Sequence, residues 1–223
     1  MEHTKIFFPD DFCERYSADT FPCELQEIRD AVGDKITLFA GFKGDLPDLL
    51  DNGKLYCAVP EGRRVIHWPK IRPFKTVVVD PEALPFAAKT FETAVINHCL
   101  EFSAENVGFL REIFRVLKRD GTLTAAIFNG TAVDRDKVFG GKIRSPDEIV
   151  ADISEASFRI SKVCGIKKNS KFPMRKFDYE DGKYGEMLIG LLRLLSDIII
   201  VTADKSTPVS ERVCVFEERY EMI

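Results

Sequence analysis

Val77-Val78-Val79-Asp80-Pro81-Glu82-Ala83-Leu84-Pro85-Phe86 opens a stretch that runs on to Asn129, and its reading decides the fold. Thr76 to Val79 is a run of β-branched residues closed by Asp80-Pro81, which predicts a strand and a turn. Thr93 to Asn97 predicts the next strand. Glu105 to Leu117 predicts an amphipathic helix. Its apolar set is Val107, Phe109, Leu110, Ile113, Phe114, Val116 and Leu117, and Arg111, Glu112, Arg115 and Lys118 carry charge. Asp120-Gly121 makes a turn into a strand over Thr122 to Phe128. Strands alternating with helices argue for a parallel sheet.

Working outward, the same alternation continues upstream. Glu24 to Val32 predicts a helix through Leu25, Ile28 and Val32. Ile36 to Ala40 predicts a buried strand ending at Gly41. Leu46 to Leu50 begins a helix stopped by Asn52-Gly53, and Lys54 to Val59 is a strand stopped by Pro60-Glu61-Gly62. Downstream, Ser145-Pro146-Asp147-Glu148 carries a helix-start signal, with Ser145 as cap, and the helix runs to about Ala156. Phe158 to Gly165 predicts a strand, Lys167 to Lys183 a basic loop, Tyr184 to Leu195 a helix and Ile198 to Thr202 a strand. A further strand at Val213 to Phe216 is a candidate in the charged tail. The expected fold is α/β: a Rossmann-like three-layer sandwich whose sheet is mostly parallel, with an antiparallel C-terminal hairpin. One domain is expected over residues 1–223, with residues 1–23 as an N-terminal extension and 206–223 as a C-terminal tail.

Composition bounds the function. The chain has 223 residues, 45% hydrophobic and 30% charged, which suits one globular domain. A net charge of -4 argues against a dedicated nucleic-acid binder, which carries a basic excess. The six cysteines form no C-x-x-C pair, and several sit in apolar runs such as Leu55-Tyr56-Cys57-Ala58-Val59. They read as reduced core thiols in a cytoplasmic protein. His3, His67 and His98 show no ligand clustering, so no metal site is expected. Ile6-Phe7-Phe8 is too short for a signal-peptide core. The apolar run Leu188 to Ala203 is broken by Arg193 and Asp197 and is short for a membrane span. A soluble protein with no membrane partner is expected.

Ligands of open α/β sheets bind beyond the carboxyl ends of the strands. The candidate segments are Gly41 to Asp45, Pro60 to Gly62, Asp80 to Leu84, Asn97 to Glu101 and Phe128 to Thr131. Gly41 and Gly44 would let the backbone approach a ligand, or would make a plain turn. The loop lacks the G-K-[S/T] ending of a phosphate-binding loop. Asp80 could accept a hydrogen bond from an exocyclic amine, or simply start an Asp-Pro turn. His98 could be a general base or a satisfied structural residue. Trp68 could line a pocket or close a lid. The run Lys167, Lys168, Lys171, Arg175 and Lys176 could touch phosphates or be a solvated loop.

Four features form a set: Asp80 followed by Leu84-Pro85-Phe86, then Lys89-Thr90-Phe91-Glu92, then Ala94-Val95-Ile96-Asn97-His98, then Leu110-Arg111-Glu112-Ile113-Phe114-Arg115-Val116-Leu117-Lys118. This set resembles the class I S-adenosylmethionine-dependent methyltransferases. Val65-Ile66-His67-Trp68-Pro69 and the segment Leu191 to Lys205 are similar to a narrower bacterial methyltransferase-like group. The resemblance implies methyl transfer from S-adenosylmethionine to an acceptor that the sequence does not identify. It implies that Gly41 and Gly44 face the methionine part of the cofactor, and that Asp80 meets the adenine amine. The backbone at Glu82 and Ala83 would meet the ring edge, and Asn97 and His98 would border the sulfonium and the substrate. His98 is the candidate base by location.

The chain also departs from the family pattern. The first loop reads Phe39-Ala40-Gly41-Phe42-Lys43-Gly44, so the acid expected at the end of the first strand is missing and Lys43 adds a positive charge. Glu61 is the nearest candidate for the acid that clasps ribose hydroxyls. The rival expectation is therefore a non-catalytic descendant of the fold, serving as a binding or scaffold protein. A nicotinamide-dependent oxidoreductase is disfavoured, because no G-x-G-x-x-G follows the first strand.

Overall fold

The computed structural model describes residues 22–41, 50, 52–60, 75–100, 106–129, 144–167, 174–178, 187, 189–192 and 195–205. Eight strands form one sheet: β1 (Thr37–Gly41), β2 (Leu55–Pro60), β3 (Thr76–Val79), β4 (Phe91–Asn97), β5 (Leu117–Phe128), β6 (Phe158–Ile166), β7 (Met174–Asp178) and β8 (Ile198–Lys205). Their order is β3-β2-β1-β4-β5-β8-β6-β7. The first five strands pair in parallel. β8 is antiparallel to both β5 and β6, and β7 is antiparallel to β6.

Helix α1 (Pro22–Val32) covers one face of the sheet, while α2 (Val107–Val116) and α3 (Pro146–Glu155) belong to the opposite layer. The strands are apolar on both faces because both are covered. In β4, Ala94 and Ile96 join the core shared with Leu110, Ile113, Ile149 and Ile153, whereas Val95 joins Ile28 and Val32 of α1. In β8, Ile199 and Val201 face the first core and Ile198 and Ile200 the second. This is the expected three-layer α/β arrangement, with antiparallel strands in its C-terminal part. Cys57, Cys99 and Cys164 are buried within it.

The helix-start signal at Ser145 is realised as a full capping box. The Glu148 amide donates to the Ser145 side chain at 3.3 Å, and the Ser145 amide donates to Glu148 Oε2 at 2.7 Å. Ser145→Ala is expected to cost about 1 kcal/mol in urea unfolding. A change below a few tenths would show that the box contributes nothing.

Two expectations need correction. Lys167 to Lys183 reads as a loop, but Met174–Asp178 within it is strand β7, paired from Ile166↔Met174 to Lys162↔Asp178. The open edge of β6 needs a hydrogen-bonding partner, and charged residues such as Arg175 and Lys176 belong on an edge strand. Asp120-Gly121 does not end an element. β5 runs through it from Leu117, and the pairing shifts register between Phe91↔Leu117 and Thr93↔Thr122. The extra residues are absorbed as a bulge. Of the expected helix Leu46 to Leu50, only Leu50 lies within the described residues, and it is helical. The candidate strand Val213 to Phe216 lies outside them. No helix among the described residues is long and apolar enough to cross a membrane.

Candidate functional site

The parallel register puts the carboxyl ends of β1 and β4 side by side, Gly41 opposite Asn97. A Cβ on Gly41 would lie 2.7 Å from the Asn97 carbonyl oxygen and 2.8 Å from its Cβ. Real Cβ atoms do not approach so closely, so this position excludes a side chain.

Asn97 and His98 are both fully buried. Asn97 Nδ2 donates to Glu24 Oε1 at 2.7 Å, and His98 Nε2 lies 2.8 Å from the same oxygen. Glu24 comes from the first turn of α1 and is itself fully buried. One carboxylate oxygen thus engages two successive residues, which the alternation of a strand would point to opposite faces. The backbone resolves this at His98, whose φ of 51° lies in the left-handed region. That conformation costs a non-glycine residue about 1 kcal/mol or more and is concentrated at functional sites. The turn is fixed by the His98 amide, which donates to the Ala126 carbonyl at 3.0 Å, and by the Phe128 ring 4.6 Å from the imidazole. Asn97 Oδ1 is buried and has no hydrogen-bond partner among the described residues.

Asp80 follows β3 and is exposed. Its Oδ1 accepts from the Glu82 amide at 2.9 Å, and its carbonyl accepts from the Ala83 amide at 3.1 Å. This is an Asx turn, so the turn-starting reading holds while the carboxylate still meets solvent. The next residues are clamped from α2. Glu112 Oε2 accepts the Leu84 amide at 2.9 Å. Arg115 binds both carboxylate oxygens of Glu112 at 2.8 Å and donates to the carbonyls of Phe86 at 2.8 Å and Leu84 at 3.0 Å. The Arg115 guanidinium holds the Glu112 carboxyl below its ordinary range, and Glu112 in turn raises the Arg115 value. The spacing Glu112-x-x-Arg115 is therefore a clasp on the Leu84-Pro85-Phe86 turn.

Of the expected site residues, Gly41, Asn97 and His98 come together at the ends of β1 and β4. Asp80, Glu82 and Ala83 share one turn at the end of β3. Gly44 and Glu61 lie outside the described residues, as do Lys43, Trp68 and Glu101. Sequence reasoning missed Glu24. The signal was present: Glu24, Ile28 and Val32 follow an i, i+4, i+8 spacing, which puts an acid on the stripe that faces the core. Beside it, burial, followed by the charge of Glu27, pushes the Cys23 thiol up, which disfavours its thiolate.

Comparison with known proteins bears on the fold. Residues 58–125 match a protein family described as a methyltransferase domain. No curated protein sequence matches the chain. A SAM-dependent methyltransferase of Thermotoga maritima superposes with a TM-score of 0.60 at 18% identity, covering 88% of this chain and 92% of that one. A SAM-dependent methyltransferase of Aquifex aeolicus gives 0.56 at 15% identity, over 90% and 100%. The geranyl diphosphate C-methyltransferase of Streptomyces coelicolor, solved with S-adenosyl-L-homocysteine, gives 0.51 at 11%, over 83% and 79%.

Proposed function

We propose that this chain, which belongs with the class I S-adenosylmethionine-dependent methyltransferases in its fold and in its matched segment, binds S-adenosylmethionine across the carboxyl edge of β3, β2, β1 and β4 and transfers its methyl group to an acceptor. The observation that carries the proposal is Asn97 Oδ1, a buried acceptor without a partner at the end of β4. A buried polar atom left unsatisfied costs free energy, so a donor brought by a ligand is favoured there. The α-ammonium of the cofactor is such a donor. The spacing also fits. Asp80 and Asn97 end strands three positions apart in the sheet, a separation on the order of 14 Å. That suits an extended nucleoside joined to an amino acid.

Asp80 would accept from the adenine amine, and the Glu82–Ala83 backbone would border the ring. Gly41 leaves the backbone bare where the methionine part passes, with Gly44 and Glu61 proposed for the rest of that path. When bound, the cofactor supplies an electrophilic methyl on a positively charged sulfur. The acceptor supplies the electron pair, and sulfur keeps the pair of the broken bond. Methyl transfer needs its reactants held in line, so positioning supplies most of the rate.

His98 is fully buried and engaged with Glu24, which favours holding the β4 end over taking a proton. The same observation favours the second reading, a binding protein without turnover. Calorimetric titration with S-adenosylmethionine and S-adenosylhomocysteine tests the proposal. Saturable heat is expected, and none at millimolar ligand would reject it. Asp80→Ala is expected to weaken binding about 5- to 10-fold, as for loss of one hydrogen bond. Unchanged affinity would remove Asp80 from the site.

A further inference from the structure

We infer that β3 is a docking edge for a second copy of this chain. Two β3 strands pair antiparallel across a two-fold axis at Val78 and join their sheets. The inference stands independently of the cofactor reading.

The two edges of the sheet are built differently. β7 closes one side and carries Arg175, Lys176 and Asp178 within its five residues. Charges on an outer strand keep other strands from adding to it. β3 closes the other side with Thr76-Val77-Val78-Val79. It has no charge, proline or glycine, and its pairing with β2 runs without a bulge. Among the described residues no strand pairs with its outer side. Such an edge turns backbone N–H and C=O groups outward, and another strand satisfies them best. Val78 stands on this edge 51% exposed, between Val77, which packs on the core, and Val79, which is buried.

Symmetry selects the occupant. A two-fold axis perpendicular to the sheet sets two copies of one strand antiparallel and keeps each face on its own side. Residues that meet across the axis must then belong to the same face. Alternation puts Thr76, Val78 and Asp80 on one face and Val77 and Val79 on the other. With the axis at Val78, that side chain meets its own copy, Val77 meets Val79 and Thr76 meets Asp80. Thr76 Oγ1 is buried without a hydrogen-bond partner among the described residues, and Asp80 follows β3 with an exposed carboxylate. Residues directly opposite have Cβ atoms about 5 Å apart, and rotation about χ1 brings the hydroxyl round to donate to the carboxylate. The neighbouring register, with the axis at Val77, puts Thr76 against Val78 and gives the hydroxyl no acceptor. β3 is thus complementary to itself in one register. The Asp80 carboxylate has about four acceptor sites, enough for the Glu82 amide, this hydroxyl and an adenine amine together.

Sedimentation equilibrium on the full chain tests the pairing. A short stretch of paired strand makes a small interface, so a monomer–dimer equilibrium on the order of 10–100 µM is expected. Val78→Lys sets like charges opposite each other at the axis and is expected to weaken association at least about 10-fold. The side chain it replaces is exposed, so the fold should hold. Thr76→Val removes a hydrogen bond from each half of the dimer and is expected to weaken association about 5- to 10-fold. Hydrogen exchange on the wild-type chain locates the contact without any variant. Exchange within residues 76–79 is expected to slow as protein concentration rises, while exchange within residues 174–178 is not. A single-chain mass up to about 500 µM would overturn the inference. So would a dimer unmoved by Val78→Lys, or slowing at 174–178 in place of 76–79. Unchanged association in Thr76→Val would overturn the register at Val78.

Discussion

Gly41→Val is expected to destabilise the protein by about 3 kcal/mol and to remove detectable binding of S-adenosylhomocysteine. The added Cβ would stand 2.7 Å from the Asn97 carbonyl oxygen and 2.8 Å from its Cβ. These neighbours belong to the backbone and first side-chain atom of a fully buried residue paired in the sheet, so neither can swing aside. Either β1 separates from β4 at its end or Asn97 shifts, and the shift breaks the bond to Glu24. Both routes disturb the unpartnered acceptor. Urea unfolding followed by calorimetry measures the two effects. Gly190→Ala is the control: its added Cβ meets nothing within 4 Å among the described residues and the residue is helical, so stability should hold or rise by about 0.5–1 kcal/mol. A fully stable Gly41→Val would show that β1 and β4 do not approach as described.

The second large effect is expected at Glu112. Glu112→Ala removes the acceptor of the Leu84 amide and the anion that holds Arg115 against the Leu84 and Phe86 carbonyls. The Glu112 side chain is 19% exposed and that of Arg115 38%, so solvent screens part of the attraction. An expected loss of about 2 kcal/mol allows for this. The acid dependence is a sharper test. The folded-state value of Glu112 is lowered from its ordinary 4.5. Its contribution is therefore fully present above that ordinary value and is lost as pH falls through the depressed folded value. The stability gap between wild type and Glu112→Gln should shrink as pH is lowered from about 6 towards 3, because the protonated acid and the amide then resemble each other. A gap independent of pH would show that the charge contributes nothing.

The sheet was readable from sequence where strands are apolar on both faces. Thr76–Val79 matches in both bounds, and the remaining parallel strands differ at their ends. β7 was hidden because an edge strand can be basic, and Arg175 and Lys176 look like loop residues until a partner strand is seen. Gly41 was legible as a glycine that permits close approach. What it approaches in the structure is the Asn97 backbone, which sequence spacing could not reveal. Glu112 and Arg115 read as the solvent face of an amphipathic helix, and their clasp on residue 84 depends on contacts 28 and 31 residues away. The left-handed backbone at His98 left no mark in composition, since histidine carries no conformational signature of the kind glycine does.

β8 has a consequence for how the protein is made. Among the described residues, the β6–β7 hairpin joins the parallel part of the sheet through no strand but β8, which pairs with β5 on one side and β6 on the other. During synthesis, β5 leaves the ribosome long before residues 198–205 do. Its buried run Leu123 to Phe128 must wait with an open edge, and the hairpin waits as a separate fragment. Among the described strands the one that arrives last is the seam that joins the two pieces, so the nascent chain carries a sticky, half-built sheet until nearly all of the described structure has been translated.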